Sequence, residues 1–205
     1  YRKAIAIKPD FAEAHYNLGN ILSDLGNLQE AESSYRKAIA LNPDFAEAHS
    51  NLGNILKDLG KLQDAELSLR KAIALNPDFA EAHSNLGIIL SDLGKLIEAE
   101  ISTRKAIQLN PSFADAHCNL GSILSDLGKF YEAEISTRKA IELNPNYSEA
   151  HSNLGNILRD LGKLIEAEIS TRKAIDLDPN YAEAHCNLGS ILSDLGKSRK
   201  AEISI

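Results

Sequence analysis

Apolar residues in this chain fall into two alternating runs, each stepping by three and four. Over residues 46–60 the run is Ala48, Leu52, Ile55, Leu56 and Leu59; over 62–75 it is Leu62, Ala65, Leu69, Ala72, Ile73 and Leu75. Such spacing puts one apolar stripe on each of two short amphipathic helices. Gly60 follows the first, where a left-handed cap costs glycine nothing. Asn76-Pro77 halts the second, because the residue before proline is pushed out of helical geometry. Each first helix is expected to open on a capping box, with Asp44 as the cap and Glu47 reaching back. Asp10 with Glu13, Ser112 with Asp115 and Asn146 with Glu149 repeat that device.

The pattern returns every 34 residues without a slip, as Pro9, Pro43, Pro77, Pro111, Pro145 and Pro179 show. Glycines keep the same step from Gly19 to Gly189 and from Gly26 to Gly196, and histidines from His15 to His185. Neither helix can bury its stripe alone, so neighbouring copies must stack. The expected fold is an all-α solenoid of helix-turn-helix repeats, one continuous array over residues 1–205. A partial copy (1–11) precedes full copies at 12–45, 46–79, 80–113, 114–147 and 148–181, and 182–205 is truncated.

Composition removes several function classes. A formal charge of −7 and an isoelectric point near 5.4 argue against nucleic acid, which needs a basic stripe. No apolar run approaches the length that spans a bilayer, and no signal-peptide pattern opens the chain. Methionine is absent, position 1 included, which suggests a window on a longer or processed protein. Cys118 and Cys186 share one repeat position, 68 residues apart. Two copies stacked at about 8–10 Å per helix put them beyond disulfide reach, so both are read as free thiols.

Leu52, Gly53, Ala65, Leu69, Ala72 and Pro77 sit where the tetratricopeptide repeats carry their signature residues, and the chain resembles that family along its whole length. The resemblance implies a right-handed superhelix whose first helices line a concave groove that takes extended ligands. Two departures stand out. Histidine fills the fourth position, where the family often has tryptophan, and Thr103, Thr137 and Thr171 replace the bulky residue at position twenty-four. Ile101, Ile135 and Ile169, two residues earlier, are candidates to compensate.

Carried over from the family, positions two, five, six, nine, twelve and thirteen face the groove or its rim. The sixth is asparagine in every copy: Asn17, Asn51, Asn85, Asn119, Asn153 and Asn187. An amide both donates and accepts, so a ladder of them suits a peptide backbone irrespective of side chain. Asparagine is also a poor mid-helix residue, which argues for a purpose beyond helix formation. The segment Ala46-Glu-Ala-His-Ser-Asn-Leu-Gly-Asn54 is similar to the repeat arm of the O-linked N-acetylglucosamine transferases, where an asparagine ladder holds polypeptide. That implies groove roles for Asn20, Asn54 and Asn156 at position nine. Asp58, Asp92 and Asp126 oppose the helix dipole at position thirteen, so they either fix the turn or form a rim favouring basic or hydroxyl-bearing ligands.

The histidines read as partly buried packing residues, since successive imidazoles about 9 Å apart cannot share a zinc. Glu66 with Arg70, like Glu32 with Arg36 through Glu168 with Arg172, forms an (i, i+4) pair on a face expected to be solvated. No nucleophile–base pair, phosphate loop or metal cluster appears, so no enzyme, cofactor or metal is expected. The leading function is a non-catalytic scaffold binding an extended peptide or protein partner. The alternative is a segment of a head-to-tail repeat filament, because Tyr1 begins and Ile205 ends in mid-helix with neighbours such as Ala201 uncovered. Asn146-Tyr147-Ser148 is an N-glycosylation acceptor that would suit an extracellular fibre; a cytoplasmic, soluble protein is the favoured reading of the compartment.

Overall fold

The computed structural model describes residues 8–196. Among them lie eleven helices and no strand: α1 (Ala12–Asp24), α2 (Leu28–Leu41), α3 (Ala46–Asp58), α4 (Leu62–Leu75), α5 (Ala80–Asp92), α6 (Leu96–Leu109), α7 (Ala114–Asp126), α8 (Phe130–Leu143), α9 (Ser148–Asp160), α10 (Leu164–Leu177) and α11 (Ala182–Asp194). Odd-numbered helices are the first of each copy and even-numbered ones the second. The 34-residue frame set by the apolar pattern therefore coincides with the helix starts. Residues 1–7 and 197–205, on which the filament expectation rests, lie outside the described residues.

The expected glycine caps form. Gly60 has φ of +74°, and its five counterparts lie between +67° and +74°. Lys61 N–H reaches back to Leu56 O at 2.8 Å, and Gly60 N–H to Lys57 O at 2.8 Å. Two of the carbonyls that a helix end leaves over are satisfied in this way.

The capping boxes do not form. The cap residues are Phe11, Phe45, Phe79, Phe113, Tyr147 and Tyr181, without a side-chain cap bond. A competing turn explains why. Asn42 Oδ1 accepts from Asp44 N–H at 3.3 Å, as Asn76 does from Asp78 and Asn144 from Asn146. The donor that Glu47 would have satisfied is already bonded one turn earlier.

The chain divides into two compact units between Leu109 and Asn110. The first contains hairpins α1–α2, α3–α4 and α5–α6; the second contains α7–α8, α9–α10 and α11. Inside each hairpin a glycine at position eight lets the second helix approach. A Cβ on Gly53 would lie 2.7 Å from Leu69 Cγ, and one on Gly87 would collide with Thr103 Oγ1. Thr103, Thr137 and Thr171 are fully buried, each hydroxyl donating to a carbonyl four residues back at 2.9 Å. Threonine thus packs directly against the glycine. Ile101, Ile135 and Ile169 do not compensate: they point outward, roughly two-thirds exposed. In the second unit Leu154, Leu158, Ala167 and Ile191 form one buried cluster, flanked by Ile141 and Leu195.

The second-helix glutamates are less solvated than expected. The (i, i+4) pairs form, Glu66 with Arg70 at 2.9 Å and Glu134 with Arg138 at 2.9 Å. Each glutamate also meets a lysine of the following copy: Lys61 to Glu32 at 2.8 Å, Lys95 to Glu66 at 2.8 Å and Lys163 to Glu134 at 2.7 Å. Arg70 and Arg138 extend the network to Glu98 and Glu166. Bonds from Lys61 and Lys95, then from Arg36 and Arg70, hold Glu32 and Glu66 below the usual carboxylate value. Glu134 is also lowered, its burial outweighed by Lys163 and Arg138. A depressed folded-state pKa stabilises above the unfolded value of 4.5, and that stability is lost as pH falls through the folded pKa. The melting temperature should therefore drop on acidification below about pH 4.5, and Glu66→Gln with Glu134→Gln should flatten that drop, read by circular dichroism.

Candidate interaction face on the first helices

All six ladder asparagines sit half-buried on the first helices, as do Asn20, Asn54 and Asn156, while Asp58, Asp92 and Asp126 are exposed at the helix ends. Asn146 is exposed in its turn. Position six is not free for a ligand on every atom. Asn51 Nδ2 donates to Tyr16 Oη at 3.1 Å and to Asn20 Oδ1 at 3.0 Å, both in the preceding copy. Asn153 Nδ2 donates to Cys118 Sγ at 3.4 Å and Ser122 Oγ at 3.0 Å, and Asn187 Nδ2 to Ser152 Oγ at 3.0 Å. The donor half of these amides ties copies together.

Position five, expected at the groove, is instead the receiving end of those bonds. Cys118 and Ser152 are fully buried and receive Asn153 and Asn187 of the next copy. Their small size leaves room for the asparagine. Burial pushes the Cys118 thiol up to about 12 and makes it a packing residue rather than a nucleophile. Both cysteines are free, Cys186 being exposed.

One place gathers the expected residues. Asn20, Asn51, Asn54 and Asp58 share an open pocket with Ser23, Asp24, Tyr35 and Ile55, and no cationic side chain lines it. Tyr35, which the repeat pattern did not single out, donates to Asn20 Oδ1 at 2.7 Å. Desolvation raises its pKa to about 12, so it remains a donor at neutral pH. Its signal was available: among the full copies it is the one aromatic residue at position twenty-four. Tyr35 and Asn51 both donate to Asn20 Oδ1, and all three residues line the pocket. Asp24 and Asp58 line the same pocket.

The other aspartates divide. Asp194 is bonded by Arg159 Nε at 2.5 Å, which is a structural role. Asp58 has only Lys57, 3.9 Å away, and burial raises the pKa of Asp126. The histidines have a definite task. His49 Nε2–H donates to Pro43 O at 3.0 Å, and His15, His83, His117, His151 and His185 make the same bond at 2.9–3.1 Å. Each imidazole tethers its helix to the preceding loop instead of filling a cavity. Among the described residues no group of three or more His, Cys, Asp or Glu is placed to hold a metal ion. Nor is any described helix long and apolar enough to cross a membrane.

Family models described as TPR repeat match residues 1–26, 19–60, 53–94 and 155–196. Models described as tetratricopeptide repeat match 80–113, 114–147 and 137–169. No match was found among curated protein sequences. Among solved structures, YrrB, described as a TPR protein with an unusual peptide-binding site, is 26% identical over 89% of this chain and 94% of its own, with a TM-score of 0.68. MamA is 26% identical over 84% and 94%, also with a TM-score of 0.68. A chain of the APC/C hetero-tetramer Cut9-Hcn1 superposes with a TM-score of 0.85 over 93% of this chain and 38% of that one. At 20% identity that likeness is one of fold.

Proposed function

The chain belongs to the tetratricopeptide repeat family, and from that premise we propose that it is a non-catalytic scaffold holding an extended peptide along its first helices. The observation that carries this reading is the pocket of Asn20, Asn51, Asn54, Asp24 and Asp58. A peptide group has one donor and one acceptor. Asn51 Oδ1 takes its N–H and Asn20 Nδ2 meets its carbonyl, so the backbone is gripped without regard to sequence. The two carboxylates then favour lysine, arginine, serine or threonine side chains, with Lys57, 3.9 Å from Asp58, only a loose competitor. Peptide binding by YrrB, as its description states, supports the same reading.

Alanine at Asn51 is a poor test, because it also removes a tie between copies and costs about 1 kcal/mol of stability. Asp24→Asn with Asp58→Asn changes charge on exposed positions and leaves the ties alone. On an array of extended peptides, the chain should select lysine- and arginine-bearing sequences. The double variant should weaken those hits roughly threefold to tenfold at low salt with an unchanged melting temperature. A preference for acidic peptides, or indifference to the double substitution, would overturn the assignment.

A further inference from the structure

Position twelve of the first helix decides what meets the carboxylates at position thirteen. It is Ser23 in the first copy, Lys57 in the second and Arg159 in the fifth, each half-buried. In the second unit Arg159 Nε donates to Asp194 Oδ2 of the next copy at 2.5 Å. That bond, and beyond it the charge of Asp160, raise the pKa of the arginine. One carboxylate thus holds the guanidinium while a second acts on it. Asn156 and Asn187 hold positions nine and six of the same two copies.

The first unit repeats this arrangement without the arginine. Asn20, Asn51, Asp24 and Asp58 occupy the matching positions and line an open pocket of 260 Å³ together with Ser23. Serine is too short to reach the next copy, so the space that Arg159 fills is left open. Asp24 makes no ion pair among the described residues, and Asp58 has only Lys57 at 3.9 Å.

The second copy shows what lysine does in the same place. Lys57 stays beside its neighbour Asp58 and makes no bond to Asp92 of the next copy. An ammonium is a point charge on a flexible stem. A guanidinium presents five donors in a rigid fork, which can meet one carboxylate and still face another.

We propose that the pocket of Ser23, Asp24 and Asp58 is a seat for an arginine side chain of the ligand, the seat that the fifth copy fills with its own Arg159. It rests on the peptide-holding reading and narrows it. Arginine is taken in preference to lysine, and Arg159 denies the matching place on α9 and α11 to the ligand.

Titrating the 205-residue chain with N-acetylarginine methylamide, followed by amide NMR, should shift the resonances of Asp24 and Asp58. N-acetyllysine methylamide should bind there roughly threefold to tenfold more weakly. Ser23→Arg should fill the seat from within and weaken arginine binding by a similar factor. Arg159→Ser should do the reverse, adding an arginine-dependent shift at Asp194 that the parent chain lacks. Both substitutions exchange residues that the array already carries at position twelve, so the melting temperature should hold. Equal binding of the two derivatives, no response to Ser23→Arg, or a silent Asp194 in Arg159→Ser would overturn the seat and leave the scaffold reading to the peptide array. A peptide array without hits, with the arginine derivative still bound at Asp58, would overturn the scaffold reading alone.

Discussion

Leu158→Ala should cost the chain roughly 2–5 kcal/mol in urea or thermal unfolding. Leu158 is 1% exposed and belongs to the cluster of Leu154, Ala167 and Ile191, with Ile141 and Leu195 against it. Truncation removes the transfer energy of the lost atoms and leaves a cavity. Four helices, α8 to α11, border that space. Ala167 has only a methyl group, which cannot rotate in to refill it, so the site cannot collapse cheaply. Ile169→Ala, on the exposed side of α10, is the matched control and should cost under about 0.5 kcal/mol. Equal effects at the two positions would mean that the cluster is not the packed centre of its unit.

Gly155→Ala should destabilise by about 1–3 kcal/mol, although alanine is the better helix former. Its Cβ would collide with Thr171 Oγ1 and come within 3.3 Å of the Ala167 carbonyl oxygen. Threonine is stiff at χ1, and its hydroxyl is held by Ala167 O at 2.9 Å, so it yields poorly. Thr171→Ala alone should cost far less, because the Ala167 carbonyl keeps its helical bond. Combining the two removes the colliding hydroxyl. The double variant should then be more stable than Gly155→Ala alone, a coupling that an unfolding cycle measures directly. Strict additivity would show that the helices do not meet at this point.

What could be read from the sequence was what lies within one helix or one turn. Apolar stripes, left-handed glycines and proline stops depend on near neighbours, and every described copy places them as the spacing requires. The capping boxes failed on a local contest: Asn42 and Glu47 compete for the same N–H, and the nearer side chain wins. The partners of the ladder were hidden by distance. Asn51 reaches Tyr16 across 35 residues and Lys61 reaches Glu32 across 29, offsets that only stacking creates. A sequence signal did exist in the serines and cysteines that follow Tyr16 at position five, which make sense once an asparagine must be seated there. The threonines at twenty-four looked like missing bulk because the opposing glycine was read as signature rather than as space.

The ties between copies have a consequence for how such a chain can change. Asn51 and Asn153, like Glu32, Glu66 and Glu134, each bond a side chain of the adjoining copy. A copy therefore needs only to fit its neighbour, and every neighbour offers nearly the same fit. Duplicating 34 residues in phase presents the newcomer with contacts it already satisfies, whereas an insertion of any other length shifts every amide and carboxylate off its mark. A gene encoding this chain can grow by copying, and the absence of a single slip in its prolines is what that rule leaves behind.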